Sequence, residues 1–88
     1  MKIKFESKFA KDLKKIKDKK LLLNVKESIN ECKLADSLSE INNLKKLKGY
    51  QTFYRLKIGD YRIGIEITNN ELIFVRFLHR KEVYRFFP

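Results

Sequence analysis

Eighty-eight residues carry 21 lysine and arginine side chains against 11 acidic ones, a formal charge of +10, and 43% of the chain is hydrophobic. Apolar residues interleaved with charge in that proportion exclude a disordered tail, and no apolar run reaches the roughly 18 residues of a spanning helix. A chain of this length makes one small domain, residues 1–88, with a modest core. Its surplus positive charge attracts polyanions, so nucleic acid, the ribosome or an acidic protein are the natural partners. The segment MKIKFESKFA lacks the apolar stretch of a secretion signal, and a cytoplasmic protein is expected. Cys32 is the single cysteine. It has no partner for an internal disulfide and no cysteine or histidine cluster around it to hold zinc, so it reads as a small buried residue, and neither metal nor cofactor is expected.

In chain order, MKIKF alternates and reads as a short strand with Ile3 and Phe5 inward. Ser7 is the expected N-cap of a first helix whose stripe is Phe9, Leu13 and Ile16. A break falls near KDKK, residues 17–20. A second helix over roughly 20–35 carries Leu22, Val25, Ile29 and Cys32 at spacings of three, four and three, with Leu21 beside them. The two stripes predict a helical hairpin. A polar stretch follows. Ser39 to Asn42 reads as a short turn, Leu44 and Leu47 as core residues, and Gly49 as another turn.

Strands are predicted at about 51–58, 61–68 and 71–78, joined by the two-residue turns Gly59-Asp60 and Asn69-Asn70. The order β-α-α-β-β-β predicts an α+β fold, with the N-terminal helical hairpin packed on one face of a small antiparallel sheet. The parity Tyr54/Leu56, Ile63/Ile65/Ile67 and Ile73/Val75/Phe77 is the face expected under the helices. The other parity presents Arg55, Lys57, Arg62 and Arg76 together, with Glu66 on the same side as a candidate ion-pair partner. Like charges on neighbouring strands repel, so a fold gains nothing from such a cluster unless something anionic visits it. All five arginines lie from residue 55 onward, whereas the sixteen lysines lie mostly upstream. A planar, bidentate, permanently charged group is thus concentrated in the C-terminal half, as phosphate handling requires.

The pieces Leu47-Lys48-Gly49, Tyr54-Arg55-Leu56-Lys57, Gly59-Asp60-Tyr61-Arg62-Ile63 and His79-Arg80-Lys81-Glu82-Val83-Tyr84, preceded by a helical hairpin, resemble the RelE/ParE superfamily of type II toxin–antitoxin toxins. The resemblance covers nearly the whole chain. It implies an acidic antitoxin that wraps and blocks the toxin, and a toxin–antitoxin complex that binds operator DNA. It also implies one of two activities. RelE-like members cut mRNA in the ribosomal A site without metal; ParE-like members inhibit DNA gyrase and have no nuclease activity.

Metal-free RNA cleavage needs a base for the 2′-hydroxyl proton, cations for the developing phosphorane charge and an acid for the leaving 5′-oxygen. Carried over by resemblance, Arg55 and Lys57 match two basic positions of a strand, and Arg62 matches the arginine expected to clamp the scissile phosphate. Tyr84 matches a C-terminal tyrosine that stacks on a base or transfers a proton. Arg80 matches the basic residue at the end of the last strand. The spacing here is shorter than in RelE, which leaves Arg76, His79 and Arg80 as alternatives for that role, with Lys81 beside them as an RNA contact. His79, the single histidine, shares its parity with Phe77. It reads either as a structural histidine bonded to backbone or as an acid–base group. Phe86 and Phe87 are expected to pack on the sheet or a helix edge.

Overall fold

In a computed structural model describing residues 1–88, the chain runs β1 (Lys2–Phe5), α1 (Ser7–Lys14), α2 (Lys19–Leu34), β2 (Leu44–Lys46), β3 (Phe53–Ile58), β4 (Tyr61–Thr68), β5 (Glu71–His79) and α3 (Val83–Phe86). The strands form one sheet in the order β1-β5-β4-β3-β2. Four of them are antiparallel neighbours, and β1 joins the edge parallel to β5. The α+β architecture is the expected one, with an additional strand. β2 is only three residues long, too short to show alternation, and residue spacing predicts no strand there.

Local chemistry explains the breaks. Asp18 caps α2 by accepting bonds from the backbone N–H groups of Lys20 and Leu21 at 3.0 and 3.1 Å. Ser7 is not the cap of α1. Glu6 occupies that position, without a side-chain bond, and Ser7 is the first helical residue. Gly59 (φ 55°) and the pair Asn69 and Asn70 (φ 49° and 62°) supply the left-handed backbone that tight hairpins need. Lys4 Nζ lies 2.9 Å from Glu71 and ties β1 to β5; that bond holds the Glu71 carboxyl below the usual carboxylate range.

Phe9 of α1 and Val25 and Cys32 of α2 pack on Leu56, Ile58, Ile63, Ile65, Leu72, Phe74 and Phe77 to form the main core. Ile63, Ile65, Leu72 and Phe74 are fully buried there. The hairpin therefore covers one sheet face, as predicted, but Leu21 rather than Leu22 joins Val25, Ile29 and Cys32 on the core. β5 departs from the predicted parity. Ile65 pairs with Phe74 but Gly64 pairs with Arg76, so Val75 is an extra residue and the strand bulges. Leu72 and Phe74 face the helices before the bulge, and Phe77 does so after it. Val75 turns to the opposite face, against Leu47, Leu78, Val83 and Phe87. Neither Ile73 nor Val75 belongs to the face the alternation assigned to it. Leu44 and Leu47 are core residues as expected, but of opposite faces: Leu44 packs on the main core and Leu47 belongs to the smaller cluster.

That smaller cluster is built by the C-terminal segment folding back over β4. The backbone N–H of Phe87 donates to the Val83 carbonyl at 2.8 Å, and both side chains are buried. Phe87 sits directly on Gly64, where a Cβ would come within 2.7 Å of the ring. Phe86 does not pack in this way and stays exposed, beneath the Arg85 guanidinium.

Candidate functional site

The helix-free face of the sheet gathers cations through strand register. Lys57 lies directly opposite Arg62 on β4, and Lys45 lies directly opposite Arg55 on β3. These four side chains and Asn43 line a depression of about 260 Å³ that has no apolar lining residue. Two direct like-charge cross-strand pairs are unfavourable, yet no carboxylate relieves them. The four ion pairs of the molecule are Lys2–Glu71, Lys4–Glu71, Arg76–Asp12 and Arg80–Asp60, and none involves Lys45, Arg55, Lys57 or Arg62. Glu66, expected as a neutralising partner, pairs with no cation, because its β3 partner is Phe53 rather than a basic residue.

Arg62 is aimed by backbone rather than by charge. Its Nη1 donates to the carbonyls of Gly59 and Tyr61, both at 2.9 Å. A guanidinium oriented by neutral carbonyls keeps its full charge, and its remaining N–H groups, for a ligand. Asn43 takes a left-handed backbone (φ 66°), and its carbonyl accepts the Lys57 N–H at 3.2 Å. The preceding N–H, of Asn42, donates to Glu31 of α2 at 2.7 Å. Those two bonds bring β2, and Lys45 with it, alongside β3.

Lys45 and Arg55 also border a neighbouring cleft of about 410 Å³, so the two hollows adjoin. Lys46, Leu47, Lys48, Tyr50, Tyr84, Phe87 and Pro88 complete its walls. Tyr84 is 68% exposed and is carried by the turn that Phe87 anchors on Gly64. Of the predicted site residues, Arg55, Lys57, Arg62 and Tyr84 thus line these two adjoining hollows. Lys45, Lys46 and Lys48 join them. Repeated lysines in a segment with no predicted strand gave no reason to single them out, and only the register of β2 against β3 does so.

The other predicted residues lie elsewhere. Arg76 is not on the cationic face. The bulge turns it toward α1, where Nε and Nη2 donate to the Asp12 carboxylate at 2.8 and 3.2 Å. The same carboxylate accepts the Phe77 N–H at 2.9 Å, so Asp12 fixes the bulge as well as the arginine. The Asp12 bond raises the Arg76 pKa further above its ordinary value. His79 lies on the helix side too. Its ring meets Tyr61 edge-on at 5.3 Å, and its Nδ1 accepts the Lys81 N–H at 3.2 Å, which is the backbone-bonded arrangement of a structural histidine. Arg80 lies beside the Gly59-Asp60 turn, 3.9 Å from the Asp60 carboxylate. Lys81 is exposed and borders none of the hollows. The largest cavity, about 450 Å³, surrounds Asp12, Arg76, Tyr61 and His79. Its arginine is already neutralised, so the smaller depression is the one that holds unpaired positive charge. Burial pushes the Cys32 thiol up to about 11, with Glu31 adding to the effect, so it is protonated and inert at neutral pH.

A small α+β domain with helices on one face of the sheet and unpaired cations on the other defines a class of compact basic proteins suited to anionic partners. Comparison with known proteins makes the class specific. The family model described as "ParE toxin of type II toxin-antitoxin system, parDE" matches residues 3–84. The chain is 43% identical over 89 residues to "Toxin RelE3" of Methanocaldococcus jannaschii, with both chains covered completely. Among solved structures it resembles the RelB-RelE antitoxin–toxin complex from Methanococcus jannaschii, with a TM-score of 0.82 and 41% identity over 97% of this chain and 99% of that one. The fold is shared with the archaeal RelE–RelB complex from Pyrococcus horikoshii OT3, at a TM-score of 0.72 and 19% identity over 90% of this chain and 93% of that one. The YoeB dimer from Staphylococcus aureus, also at 0.72 and 19%, shares it over 90% of this chain and 95% of that one. The chain belongs to the RelE/ParE superfamily and is a toxin of a type II toxin–antitoxin system.

Proposed function

We propose that this toxin is a ribosome-dependent mRNA endoribonuclease that arrests translation and works without a metal ion. The observation that carries the proposal is the set of four cations, Lys45, Arg55, Lys57 and Arg62, sharing one depression with no carboxylate among them. In this reading a phosphate of the message lies in that depression. A base removes the proton of the 2′-hydroxyl, and the 2′-oxygen forms a bond to phosphorus. The bond from phosphorus to the 5′-oxygen then breaks, and an acid protonates that oxygen. The products are a 2′,3′-cyclic phosphate and a 5′-hydroxyl end. Arg62 and Arg55 hold the phosphate and stabilise the extra negative charge of the phosphorane, the task that fixed, preorganised donors perform best. In this reading Lys57 and Tyr84 are assigned the proton transfers, while Lys45 adds charge. Arg80 at the neighbouring turn is assigned to the incoming RNA or ribosome.

The antitoxin follows from the same electrostatics. An acidic chain seated over the cationic depression would neutralise it and exclude the message. That the solved relatives are complexes with RelB antitoxins supports such a partner here. An interaction of the complex with operator DNA belongs to the same proposal.

A second reading, binding and inhibition of DNA gyrase without nuclease chemistry, is favoured by the ParE description of the matching family model. The two separate in a purified translation reaction. Wild type cuts a reporter mRNA within codons only when ribosomes translate it. Arg62→Ala, folded by circular dichroism, loses about 10²–10³-fold in rate, the usual cost of one preorganised donor. Intact mRNA with wild type, together with inhibited supercoiling by gyrase, would establish the second reading instead.

A further inference from the structure

The cleft beside the cationic depression has a composition that phosphate binding does not use. Its floor is apolar, from Leu47 and Phe87, both buried. Its rim is basic, from Lys46 and Lys48. Two tyrosines line it, Tyr50 and Tyr84, and both are largely exposed, at 47% and 68%. Tyr50 is nevertheless not loose. Its ring meets Phe53 edge-on at 5.6 Å, and Phe53 in turn meets Phe87 edge-on at 5.5 Å, so a ladder of aromatic contacts ties it to the cluster over Gly64. At about 410 Å³ the cleft falls within the roughly 300–1,000 Å³ of small-ligand sites. Apolar floor, aromatic walls and basic rim together are what a single-stranded nucleotide requires: π-faces for the base and cations for the backbone.

We infer that Tyr50 is a second aromatic wall of this cleft, added to Tyr84, for which base stacking is already expected, and that the cleft is a slot for an unpaired base next to the phosphate of the depression with which it shares Arg55 and Lys45. The inference rests on the phosphate-binding reading of the adjoining depression, because those two side chains border both hollows. It makes Tyr50 an RNA-binding residue that takes no part in proton transfer. Stacking is indifferent to base identity in first order, so the slot anchors the message without demanding a sequence.

The test uses a labelled single-stranded RNA of a few nucleotides with 2′-O-methyl groups throughout, so that it binds without being cut. Fluorescence anisotropy at low salt compares wild type, Tyr50→Leu and Tyr50→Phe on this oligonucleotide and on a series carrying one abasic position each. Tyr50→Leu is expected to weaken binding by about 5- to 150-fold, the range for loss of one base stack, and Tyr50→Phe to stay within about threefold of wild type. One abasic position should weaken wild type by at least a similar factor and Tyr50→Leu by distinctly less, since only the Tyr84 contact is left to lose. Equal binding by wild type and Tyr50→Leu overturns the slot, as does wild type that does not discriminate any abasic oligonucleotide or does not bind the RNA. Cleavage is scored separately, by Arg62→Ala in the translation reaction. A nuclease that lacks the slot and a slot on a protein that does not cut are therefore distinguishable results.

Discussion

Gly64→Ala places a methyl group where Phe87 already is. The new Cβ would stand 2.7 Å from two ring carbons of Phe87 and 2.8 Å from a third. Gly64 is an interior residue of β4, paired to both neighbours, so its backbone has no room to retreat. The ring is no freer, being 3% exposed and enclosed by Leu47, Leu78 and Val83. If the cluster strains to keep the ring, the cost is that of overpacking, about 1–3 kcal/mol. Full ejection approaches the loss of a buried phenylalanine, about 3–5 kcal/mol. The main core lies on the other face, with Ile63 and Ile65 fully buried under the helices, so the domain should still fold. For a chain of this size each kcal/mol lowers the Tm by about 4–8 °C. Thermal unfolding followed by circular dichroism should therefore show Gly64→Ala at least about 4 °C below wild type. The same change in a Phe87→Ala background should cost little, since the clash has been removed. Tyr84 rides on the anchored turn, so RNA cutting should fall as well. A Gly64→Ala protein with an unchanged Tm, or with the same loss in both backgrounds, would refute the seating of Phe87 on Gly64.

Asp12→Ala removes three bonds at once, two from Arg76 and one from the Phe77 N–H. Urea denaturation should show a loss of about 2–4 kcal/mol, toward the lower end because Arg76 still reaches solvent; a loss under 1 kcal/mol would mean that the bulge holds without it. Lys45→Ala should lower the salt slope of single-stranded RNA binding by about 0.7, one phosphate contact, whereas Lys81→Ala should leave the slope unchanged. Cys32 should resist a thiol reagent at pH 7 until the protein is unfolded. Its folded pKa of about 11 lies above the ordinary 9.0, so the unfolded state gives up this proton first. Stability linked to this group is full below about pH 9 and declines as pH rises toward 11, which a pH series of urea midpoints would detect.

The helical stripes, the hairpin turns and the core face of β3 and β4 could be read from residue spacing, because period and turn chemistry are local properties. The β5 face could be read only in part. A bulge is set by the fit of Val75 and Arg76 against Gly64 and by the claim of Asp12 on two consecutive residues, one of them 64 positions away. Alternation counts through an extra residue without noticing it, so Arg76 was expected among the phosphate-facing cations, and Ile73 and Val75 in the main core. The reverse error concerns Lys45. Three strand residues are too few to announce a strand, so the fourth cation of the cluster became visible only through its pairing with Arg55. Arg55, Lys57 and Arg62 could be placed together because a two-residue turn fixes the register of the strands it joins.

The central claim is that four unpaired cations on one sheet face hold a message for cutting. Its most direct measurement is transcriptome-wide mapping of new 5′-hydroxyl ends after induced expression, with wild type and Arg62→Ala at equal protein levels. Wild type should produce such ends inside translated reading frames, in register with codons, and Arg62→Ala should produce almost none. Growth arrest with unbroken transcripts, or the same ends from both proteins, would contradict it.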